Sequence, residues 1–274
     1  MDIKAYKMDG LGNDFVIIDQ RDNSLELSKQ QIIKICDRKF IGCDQLIIIK
    51  KNKEFDANLE FFNSDGSSSG ACGNGTRCVA YLLHKENDKK EIILNASLSI
   101  LKSKVLANNL VETNIGAPKL HWDEIPLIEN KNTKNLGIKI FDENNKEHIG
   151  GTAVNVGNPH VIFFVNNIEN FDIKKIGPSI ENNKLFPKKC NVTIAKLINK
   201  NLIKVKVWER GAGLTKACGT AACATVVAGY TLGFTNKEVD IEFELGKLSI
   251  SLDEKNNIHM KGPVSEIKEI EIKL

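Results

Sequence analysis

The sequence repeats itself after about half of its 274 residues, and this internal repeat constrains the fold more than any other feature. Gly12–Ile17 matches Gly157–Ile162 at an offset of 145, and Cys43-Asp44 matches Cys190-Asn191 at an offset of 147. In the first pair, a Gly-Asn turn leads into an apolar, β-branched run, which is the pattern of a loop that feeds a buried strand. We therefore expect two similar halves.

The strongest match lies at an offset of 146. Leu59–Asn63 aligns with Val205–Glu209, and both segments have the pattern of a strand that ends in a polar residue. Ala71-Cys72-Gly73 then aligns with Ala217-Cys218-Gly219. Three matches in the same order, with offsets that agree within two residues, predict two related α/β units.

The boundary between the halves is predicted near Gly116-Ala117-Pro118, because proline interrupts strand pairing. We assign residues 1–117 to the N-terminal half, together with a C-terminal strand at 264–274. Residues 118–263 are assigned to the C-terminal half.

Local patterns predict several further elements. The runs Ile100–Leu106 and Leu110–Ile115 favour a hairpin, and the alternating run Ile267–Ile272 favours a strand. The lysine- and asparagine-rich stretch Asn130–Asn145 is typical of a surface loop or hairpin. A capping-box pattern at its start predicts an amphipathic helix within Ser28–Lys39.

The composition excludes several classes of protein. The chain has 42% hydrophobic and 27% charged residues, as in ordinary globular proteins, and its formal charge of +3 gives no reason to expect a nucleic-acid partner. No apolar run is long enough for a membrane span, and the first residues lack the core of a signal peptide. We therefore expect a cytoplasmic protein whose seven cysteines are thiols.

Two cysteine loops, Gly70–Cys78 and Lys216–Cys223, stand at corresponding positions of the repeat. In each loop a cysteine, Cys72 or Cys218, precedes a small-residue turn that opens into a predicted helix. Backbone N–H groups at a helix start stabilise negative charge, so this placement predicts a lowered thiol pKa. The same donors suit a carboxylate or the enolate that forms from it.

A thiolate on one side of a carbon centre and a thiol on the other would remove a proton from one face and deliver a proton to the opposite face. The paired loops therefore favour an enzyme that inverts a carbon centre, with Cys72 and Cys218 as acid and base. Two buried structural cysteines are an alternative interpretation. A zinc site that adds Cys78 and Cys223 is another, although its spacings are wider than those of common zinc knuckles. A phosphate-binding loop at Gly73–Arg77 lacks the usual lysine.

The two loops belong to a series of motifs that extends along the chain: Gly10–Phe15, Asp44-Gln45, Phe62–Gly66, Cys72–Gly75, Gly157–His160, Asn191, Glu209–Gly213 and Ala217–Thr220. On these motifs, the sequence resembles the diaminopimelate epimerase family over essentially its whole length. The combination of motifs, in the family's order, is more specific than any one of them.

The resemblance implies an isomerase that interconverts LL- and meso-2,6-diaminopimelate in lysine and peptidoglycan precursor synthesis. It implies a small-molecule substrate, no cofactor (in particular no pyridoxal phosphate) and no metal. The implied fold is α/β (α+β), with two pseudo-symmetric domains, each a strand-rich barrel around a central helix, and an active site in the cleft between them. Relatives imply a homodimer.

Roles can be carried over residue by residue. Cys72 resembles the family's proton donor and Cys218 its acceptor, and these roles exchange with the direction of the reaction. His160 and Glu209 match polar residues that tune the thiol pair, and Glu209 also belongs to the substrate-binding set. The other implied substrate-binding residues are Gly73, Asn74, Gly219 and Thr220 at the reacting carboxylate, Asn63, Asn158, Asn191 and Arg210 at the distal centre, and Asn13 and Gln45 beside them.

One position departs from the family pattern, since Ala221 stands where many relatives have glycine. Alanine is harmless there if the residue lies in the first helical turn. Asn13 and Asn158 have an alternative interpretation as turn residues, and His160 as a buried strand histidine. Two other functions are alternatives: a proline racemase-like or other two-cysteine amino-acid racemase and, from a different class, a thiol-based metal-binding or redox-sensing protein.

Overall fold

A computed structural model of the chain describes residues 2–23, 25–70, 72–96 and 99–274. Ala71 of the first cysteine loop lies outside the described residues. The chain forms two compact units. Unit 1 contains the residues up to Asn114 and Lys261–Leu274, and unit 2 contains Ile115–Met260.

The first part of the chain alternates strands with two helices. Its elements are β1 (Asp2–Gly10), β2 (Asn13–Asp19), α1 (Lys29–Cys36), β3 (Gln45–Lys50), β4 (Ala57–Asn63), β5 (Ser68–Ser69), α2 (Gly73–Asn87), β6 (Glu91–Ala96), β7 (Ser99–Val105) and β8 (Leu110–Gly116).

The second part carries two more helices. Its elements are β9 (Ile138–Phe141), β10 (Glu147–Gly150), β11 (Thr152–Asn155), β12 (Pro159–Phe164), α3 (Ile173–Glu181), β13 (Asn191–Asn199), β14 (Leu202–Glu209), β15 (Gly213–Thr215), α4 (Gly219–Thr231), β16 (Glu238–Phe243), β17 (Gly246–Leu252), β18 (Ile258–Pro263) and β19 (Lys268–Lys273). The last strand returns to unit 1 and pairs antiparallel with β1.

The strand pairings confirm the internal repeat. In unit 1, β1–β2 is antiparallel, β2–β3 parallel and β3–β4 antiparallel; β4 then pairs antiparallel with β5 and parallel with β6. The strands β11 to β16 of unit 2 follow the same sequence of pairings. The antiparallel pairs β6–β7 and β16–β17 complete the correspondence. Each unit therefore repeats one topology, as the sequence predicts.

A buried helix lies at the centre of each unit. Helix α2 contacts β1, β2, β6 and β7, which lie in separate parts of the sheet of unit 1, and α4 contacts β11, β12, β13, β16 and β17 of unit 2. The first eleven residues of α2 are buried, and α4 is buried from Ala221 to Gly229. A helix without a polar face is stable only when it is enclosed by other elements. Each sheet therefore curls around its helix, as expected for a strand-rich unit with a central helix.

Close packing explains a glycine in the first turn of α2. A Cβ at Gly75 would lie 2.7 Å from Cδ1 of Ile47 and 3.0 Å from Cε1 of Phe61. Both side chains belong to the sheet that encloses the helix, and both are buried. Glycine therefore allows the start of α2, and with it Cys72, to approach the sheet.

The local predictions have mixed outcomes. Ser28 caps α1 with the predicted capping box, but the helix ends at Cys36 rather than near Lys39, because Asp37 adopts an extended backbone. The predicted hairpin after Ile100 is present as β7 and β8, and the predicted C-terminal strand is β19. The stretch Asn130–Asn145 is partly a hairpin, in which β9 pairs with β10.

Helix α3 has no counterpart among the sequence predictions. It begins after Asp172, whose side chain accepts a hydrogen bond from the backbone N–H of Lys174, and it contains Pro178. Ile173, Ile176 and Ile180 form its buried face. Within the described residues, no helix is long and apolar enough to cross a membrane.

Candidate functional site

Cys72 and Cys218 occupy the same structural position in the two units. Each is the N-cap residue of the central helix, with an extended backbone and no side-chain capping hydrogen bond. In α2 both the backbone N–H and the hydroxyl of Thr76 donate to the carbonyl of Cys72 at 2.8 Å. In α4 the N–H of Ala222 donates to the carbonyl of Cys218 at 3.0 Å. The prediction that each cysteine precedes a helix is confirmed.

In unit 1, the side chain of Cys72 lies within a small polar cluster. Its thiol donates to Oδ1 of Asn13 at 3.7 Å, and Nδ2 of Asn74 donates to the same oxygen at 3.3 Å. Asn74 is only 2% exposed, and its Oδ1 accepts no hydrogen bond from the described residues. Asn13 is at the start of β2, so the strand and the helix meet at this amide.

Gln45 and Asn63 form a second polar pair in unit 1. They face each other in the register of β3 and β4, and Nε2 of Gln45 donates to Oδ1 of Asn63 at 3.0 Å. The same nitrogen lies 3.2 Å from the hydroxyl of Ser69, and Nδ2 of Asn63 donates to the hydroxyl of Ser67 at 3.1 Å. Two half-buried amides are thus held at the end of the sheet from which α2 starts.

In unit 2, Cys218 is 5% exposed, and its Sγ lies 3.5 Å from the hydroxyl of Thr220. Burial raises the pKa of the Cys218 thiol well above its usual value, and the negative charge of Glu209 raises it further. The hydroxyl of Thr220 and the backbone N–H of Ala221 act in the opposite direction but do not overcome burial. The prediction of a lowered pKa is therefore wrong for Cys218, because it counted the helix start and omitted desolvation.

Ala221, which departs from the family pattern, lies where alanine is favourable for a helix. Ala221 is the third residue of α4, with a fully buried side chain in the first helical turn. Alanine is the best helix former. The structure therefore accommodates alanine in place of glycine at this position.

His160 is fully buried, where β12 lies beside β13. Burial lowers the pKa of His160 to about 3, and the positive charge of Arg210 contributes in the same direction, so the imidazole is neutral near pH 7. Its Nε2 lies 2.8 Å from Oδ1 of Asn158 and 3.5 Å from Nδ2 of Asn191. One ring nitrogen cannot both donate and accept, so His160 donates from Nε2 to Asn158, the shorter contact, and the NH2 group of Asn191 is only a neighbour of that nitrogen. The structure does not place His160 against the sulfur of Cys218.

Asn191 connects His160 to the loop after β14. Asn191 is 2% exposed; its Nδ2 donates to the carbonyl of Pro159 at 3.0 Å, and its Oδ1 accepts from the backbone N–H of Arg210 at 2.9 Å. The guanidinium of Arg210 is exposed, and one nitrogen donates to the carbonyl of Lys188 at 2.8 Å. The side chain of Arg210 is therefore exposed to solvent, while its backbone is fixed by a hydrogen bond to the buried Asn191.

Sequence reasoning missed Glu181, the last residue of α3. Its carboxylate accepts from Nε1 of Trp208 at 2.8 Å and from the backbone N–H of Gly211 at 3.1 Å. It thereby holds the residues on both sides of Glu209 and Arg210. No sequence motif indicated this role, because it depends on the packing of α3 against β14.

Sequence reasoning also missed a pair of buried thiols. Cys43 and Cys36 lie with their sulfurs 3.4 Å apart. The hydrogen bond between them lowers the pKa of Cys36 and raises that of Cys43. Cys78 and Cys223 are fully buried in α2 and α4. Across the described ranges, no cluster of three or more His, Cys, Asp or Glu side chains is arranged to hold a metal ion.

Solved structures share this fold at low sequence identity. A probable proline racemase from Agrobacterium radiobacter has a TM-score of 0.72 and 11% identity, covering 99% of this chain and 93% of that one. A predicted epimerase from Pseudomonas aeruginosa has a TM-score of 0.71 and 13% identity, covering 99% of both chains. The class is therefore that of pseudo-symmetric α/β proteins, whose fold is shared with proteins described as racemases and epimerases.

Sequence comparison then identifies the family. The sequence profile of the diaminopimelate epimerase family matches residues 5–121 and 152–267. A diaminopimelate epimerase from Pelagibacter ubique is 71% identical over 274 residues and covers the whole of both chains. One from Acidiphilium cryptum is 39% identical over 267 residues, covering 97% of this chain and 95% of that protein. The chain belongs to the diaminopimelate epimerase family and is an isomerase.

Proposed function

We propose that the protein interconverts LL- and meso-2,6-diaminopimelate without a cofactor, using Cys72 and Cys218 as paired acid and base, and that it serves lysine and peptidoglycan precursor synthesis. The observation that carries the proposal is the repeated placement of a cysteine at the N-cap of each central helix. Family membership and the names of the relatives support the substrate.

The proposed chemistry needs one thiolate and one thiol that reach the same α-carbon from opposite faces. The thiolate takes the α-proton, the electron pair moves into the carboxylate as an enolate, and the thiol returns a proton to the other face. Because burial and Glu209 keep Cys218 protonated near neutral pH, its proton must leave before it acts as a base. We assign Glu209 as the group that receives this proton, since it interacts directly with the Cys218 thiol.

The first turns of α2 and α4 are suited to the reacting carboxylate. We assign the backbone N–H groups of Gly73, Asn74, Gly219 and Thr220 to it, because they lie in the first turn of each central helix and neither N-cap side chain forms a capping hydrogen bond. Amide N–H groups at a helix start and the helix dipole favour negative charge, and they favour the enolate, which bears an additional negative charge, more than the carboxylate from which it forms.

The distal end of the substrate is assigned to polar side chains of both units. Arg210 is exposed and bears a fork that matches a carboxylate, which would distinguish diaminopimelate from simple amino acids. Asn63 and Asn158 are half-buried amides that both donate and accept. Asn13 contacts the cysteine of unit 1, and Gln45 donates to Asn63. Asn191 is buried, so we assign it to the site through the backbone of Arg210 that it holds.

His160 is assigned a positioning role in place of direct proton transfer. It is neutral and fully buried, and its Nε2 holds Oδ1 of Asn158. We further propose residues 1–117 with 264–274, and 118–263, as the two functional halves, a homodimer as the assembly and the cytoplasm as the location.

Deuterium exchange tests the proposal. Wild-type protein incubated with LL-diaminopimelate in deuterated water should form the meso isomer and incorporate deuterium at the α-carbon, with no turnover of L-proline. Cys72→Ala and Cys218→Ala should each abolish epimerisation. Cys78→Ala and Cys223→Ala, on the same two helices, are matched controls and should retain turnover, because these cysteines belong to the buried core.

Three results would contradict the proposal: full turnover by either N-cap variant, racemisation of proline in place of diaminopimelate, or a stoichiometric metal that is required for activity. The second would indicate a proline racemase-like enzyme and the third a thiol-based metal protein.

A further inference from the structure

The amide of Asn13 is held at both ends. Its Nδ2 donates to Oδ2 of Asp44 at 2.9 Å, while its Oδ1 accepts from Cys72 and Asn74. An ionised carboxylate can only accept hydrogen bonds, so the end of the amide beside Asp44 must be the NH2 group. The carbonyl oxygen of Asn13 is thereby directed at the sulfur of Cys72.

Asp44 is itself fixed by a cluster of charges. Arg38 donates to its Oδ1, and the backbone N–H of Asp14 lies 3.2 Å from its Oδ2. Arg38 also forms a bidentate pair with Asp14 at 2.7 and 2.8 Å, and Lys7 lies 3.5 Å from the same carboxylate. Burial alone would raise the pKa of Asp14, but hydrogen bonding and charge from Arg38 lower it below its usual value. Asp14 lies at the start of β2 and Asp44 directly before β3, so Arg38, which donates to both carboxylates, connects the starts of the two strands.

The direction of the Asn13 amide determines which protonation state of Cys72 is favoured. An acceptor facing the sulfur stabilises the thiol, which has a proton to donate, whereas a donor stabilises the thiolate. The ionisable groups that lie in or beside this region of unit 1 include Lys7, Asp9, Asp14, Arg38, Asp44, Arg77 and Cys78. Of the three side chains that hydrogen-bond to the amide of Asn13, those of Asp44, Cys72 and Asn74, the carboxylate of Asp44 is the charged one, and it orients the amide.

We propose that Asp44 is a positioning residue that locks Asn13 with its carbonyl oxygen toward Cys72 and so holds Cys72 as a proton-bearing thiol. The inference rests on the proposed function, in which Cys72 is the proton donor in one direction. It adds a cause for the difference between two cysteines that occupy equivalent positions.

The second half of the repeat lacks this lock. Asp44 corresponds to Asn191, and Asn13 corresponds to Asn158, whose Oδ1 accepts from His160. The carboxylate of unit 2 is Glu209, which acts on Cys218 directly rather than through an amide. The protonation state of Cys72 therefore depends on an oriented amide, whereas that of Cys218 depends on a neighbouring carboxylate.

Asp44→Asn tests the lock at constant side-chain shape. Because Arg38 requires an acceptor, the new amide should direct its oxygen to Arg38 and its NH2 group to Asn13. Asn13 should then reverse and direct its Nδ2 at Cys72, with the unpartnered Oδ1 of Asn74 able to accept from it. The thiolate of Cys72 should become more populated, and alkylation near neutral pH should be faster by about 3- to 10-fold.

The measurement is the rate of alkylation of Cys72 by iodoacetamide as a function of pH, in the free, full-length protein. Trypsin releases Glu54–Arg77, which contains Cys72 as its only cysteine, so mass spectrometry follows this thiol separately from the other six. Asp14→Asn is the matched control, because it removes the same charge from the same cluster but leaves the bond between Asn13 and Asp44. Its curve should move less than that of Asp44→Asn.

A swapped pair provides the opposite shift. Asn13→Asp combined with Asp44→Asn keeps the charge of the cluster but directs a carboxylate oxygen at Cys72, so the alkylation curve should move to higher pH. If Asp44→Asn does not fold, as judged by circular dichroism, the swapped pair alone decides. A curve for Asp44→Asn that coincides with wild type, an equal shift in Asp14→Asn, or a swapped pair that shifts to lower pH would each overturn the inference. Because alkylation needs no substrate, a failure of the proposed epimerase activity would be seen separately.

Discussion

Replacing Glu181 by glutamine should lower the free energy of unfolding of unit 2 and loosen the loop that positions Arg210. The carboxylate is 6% exposed and accepts from two donors, Nε1 of Trp208 and the backbone N–H of Gly211. A glutamine side chain offers one oxygen, and its NH2 group must face the other donor. One buried N–H group therefore loses its partner in Glu181→Gln.

The size of the effect follows from that lost partner. A buried donor without an acceptor costs about 1–3 kcal/mol. The ion pair with Lys189 adds little, because its two charged atoms are 3.9 Å apart and the lysine side chain is 55% exposed. At about 2 kcal/mol, the equilibrium constant for unfolding rises by about 30-fold, and the urea midpoint falls by about 1 M.

Fluorescence reports this change selectively. The two tryptophans of the chain, Trp122 and Trp208, both belong to unit 2, so a urea titration followed by tryptophan emission measures the unfolding of that unit. The matched control is Glu169→Gln, in which an exposed carboxylate of the same unit loses two ion pairs with half-buried lysines at 2.7 and 3.2 Å. Such surface pairs contribute about 0–1 kcal/mol.

The same substitution should raise the KM for diaminopimelate, because the loop that bears Arg210 loses one of its supports. Equal urea midpoints for Glu181→Gln and Glu169→Gln, together with an unchanged KM, would refute the reasoning. A lower midpoint with an unchanged KM would confirm the role of Glu181 in stability and contradict its link to Arg210.

Three further perturbations should have measurable results. His160 has a pKa of about 3 in the folded protein and about 6.5 in the unfolded chain, so between these values only the unfolded chain binds the proton. Its contribution to the free energy of unfolding should therefore be fully present above about pH 6.5. It should fall by up to about 1.4 kcal/mol per pH unit as the pH drops toward 3. His160→Gln should flatten this dependence in urea titrations at several pH values, and an unchanged slope would contradict it. Gly75→Ala should lower stability by about 1–3 kcal/mol, because its Cβ would lie 2.7 Å from Ile47, and thermal unfolding followed by circular dichroism measures the loss. Oxidation by diamide, which takes up the two thiol hydrogens, should form a disulfide between Cys36 and Cys43, whose sulfurs are 3.4 Å apart. Peptide mapping should find this disulfide in wild type but not in Cys43→Ala. Oxidised wild type without the disulfide would count against the pairing.

The repeat allowed much of the fold to be predicted from sequence. Segments that match between the two halves of the sequence form equivalent strand pairs in the two units, such as β2–β3 and β12–β13. The reason is that the apolar runs have the same spacing in both halves, so corresponding strands pair with each other. Helix α3 was not predicted. Its interior Pro178 is atypical of a helix, and only the packing of its isoleucines against unit 2 makes the segment helical.

The candidate site shows the limit of sequence reasoning in a different way. Sequence placed Cys218 at a helix start, and that placement is confirmed, but the direction of its pKa shift was wrong. The effect of a helix start depends on a few local residues, whereas desolvation depends on every element that covers the sulfur. Glu181 has no motif of its own, and the motif that contains Asp44 does not indicate its role, since each of the two acts on residues that only the folded chain brings near.

The cysteines at the two N-caps also have a consequence for protein engineering. Serine, threonine, aspartate and asparagine are the preferred N-cap residues, and replacing one by a residue that cannot cap costs a helix about 0.5–2 kcal/mol. A stability-optimisation programme that scores caps would therefore select serine at positions 72 and 218, and each change would improve the score while removing a sulfur. If both sulfurs take part in the proposed reaction, stability and activity make opposite demands on these positions, and screens for thermostable variants of this chain should keep both out of the library.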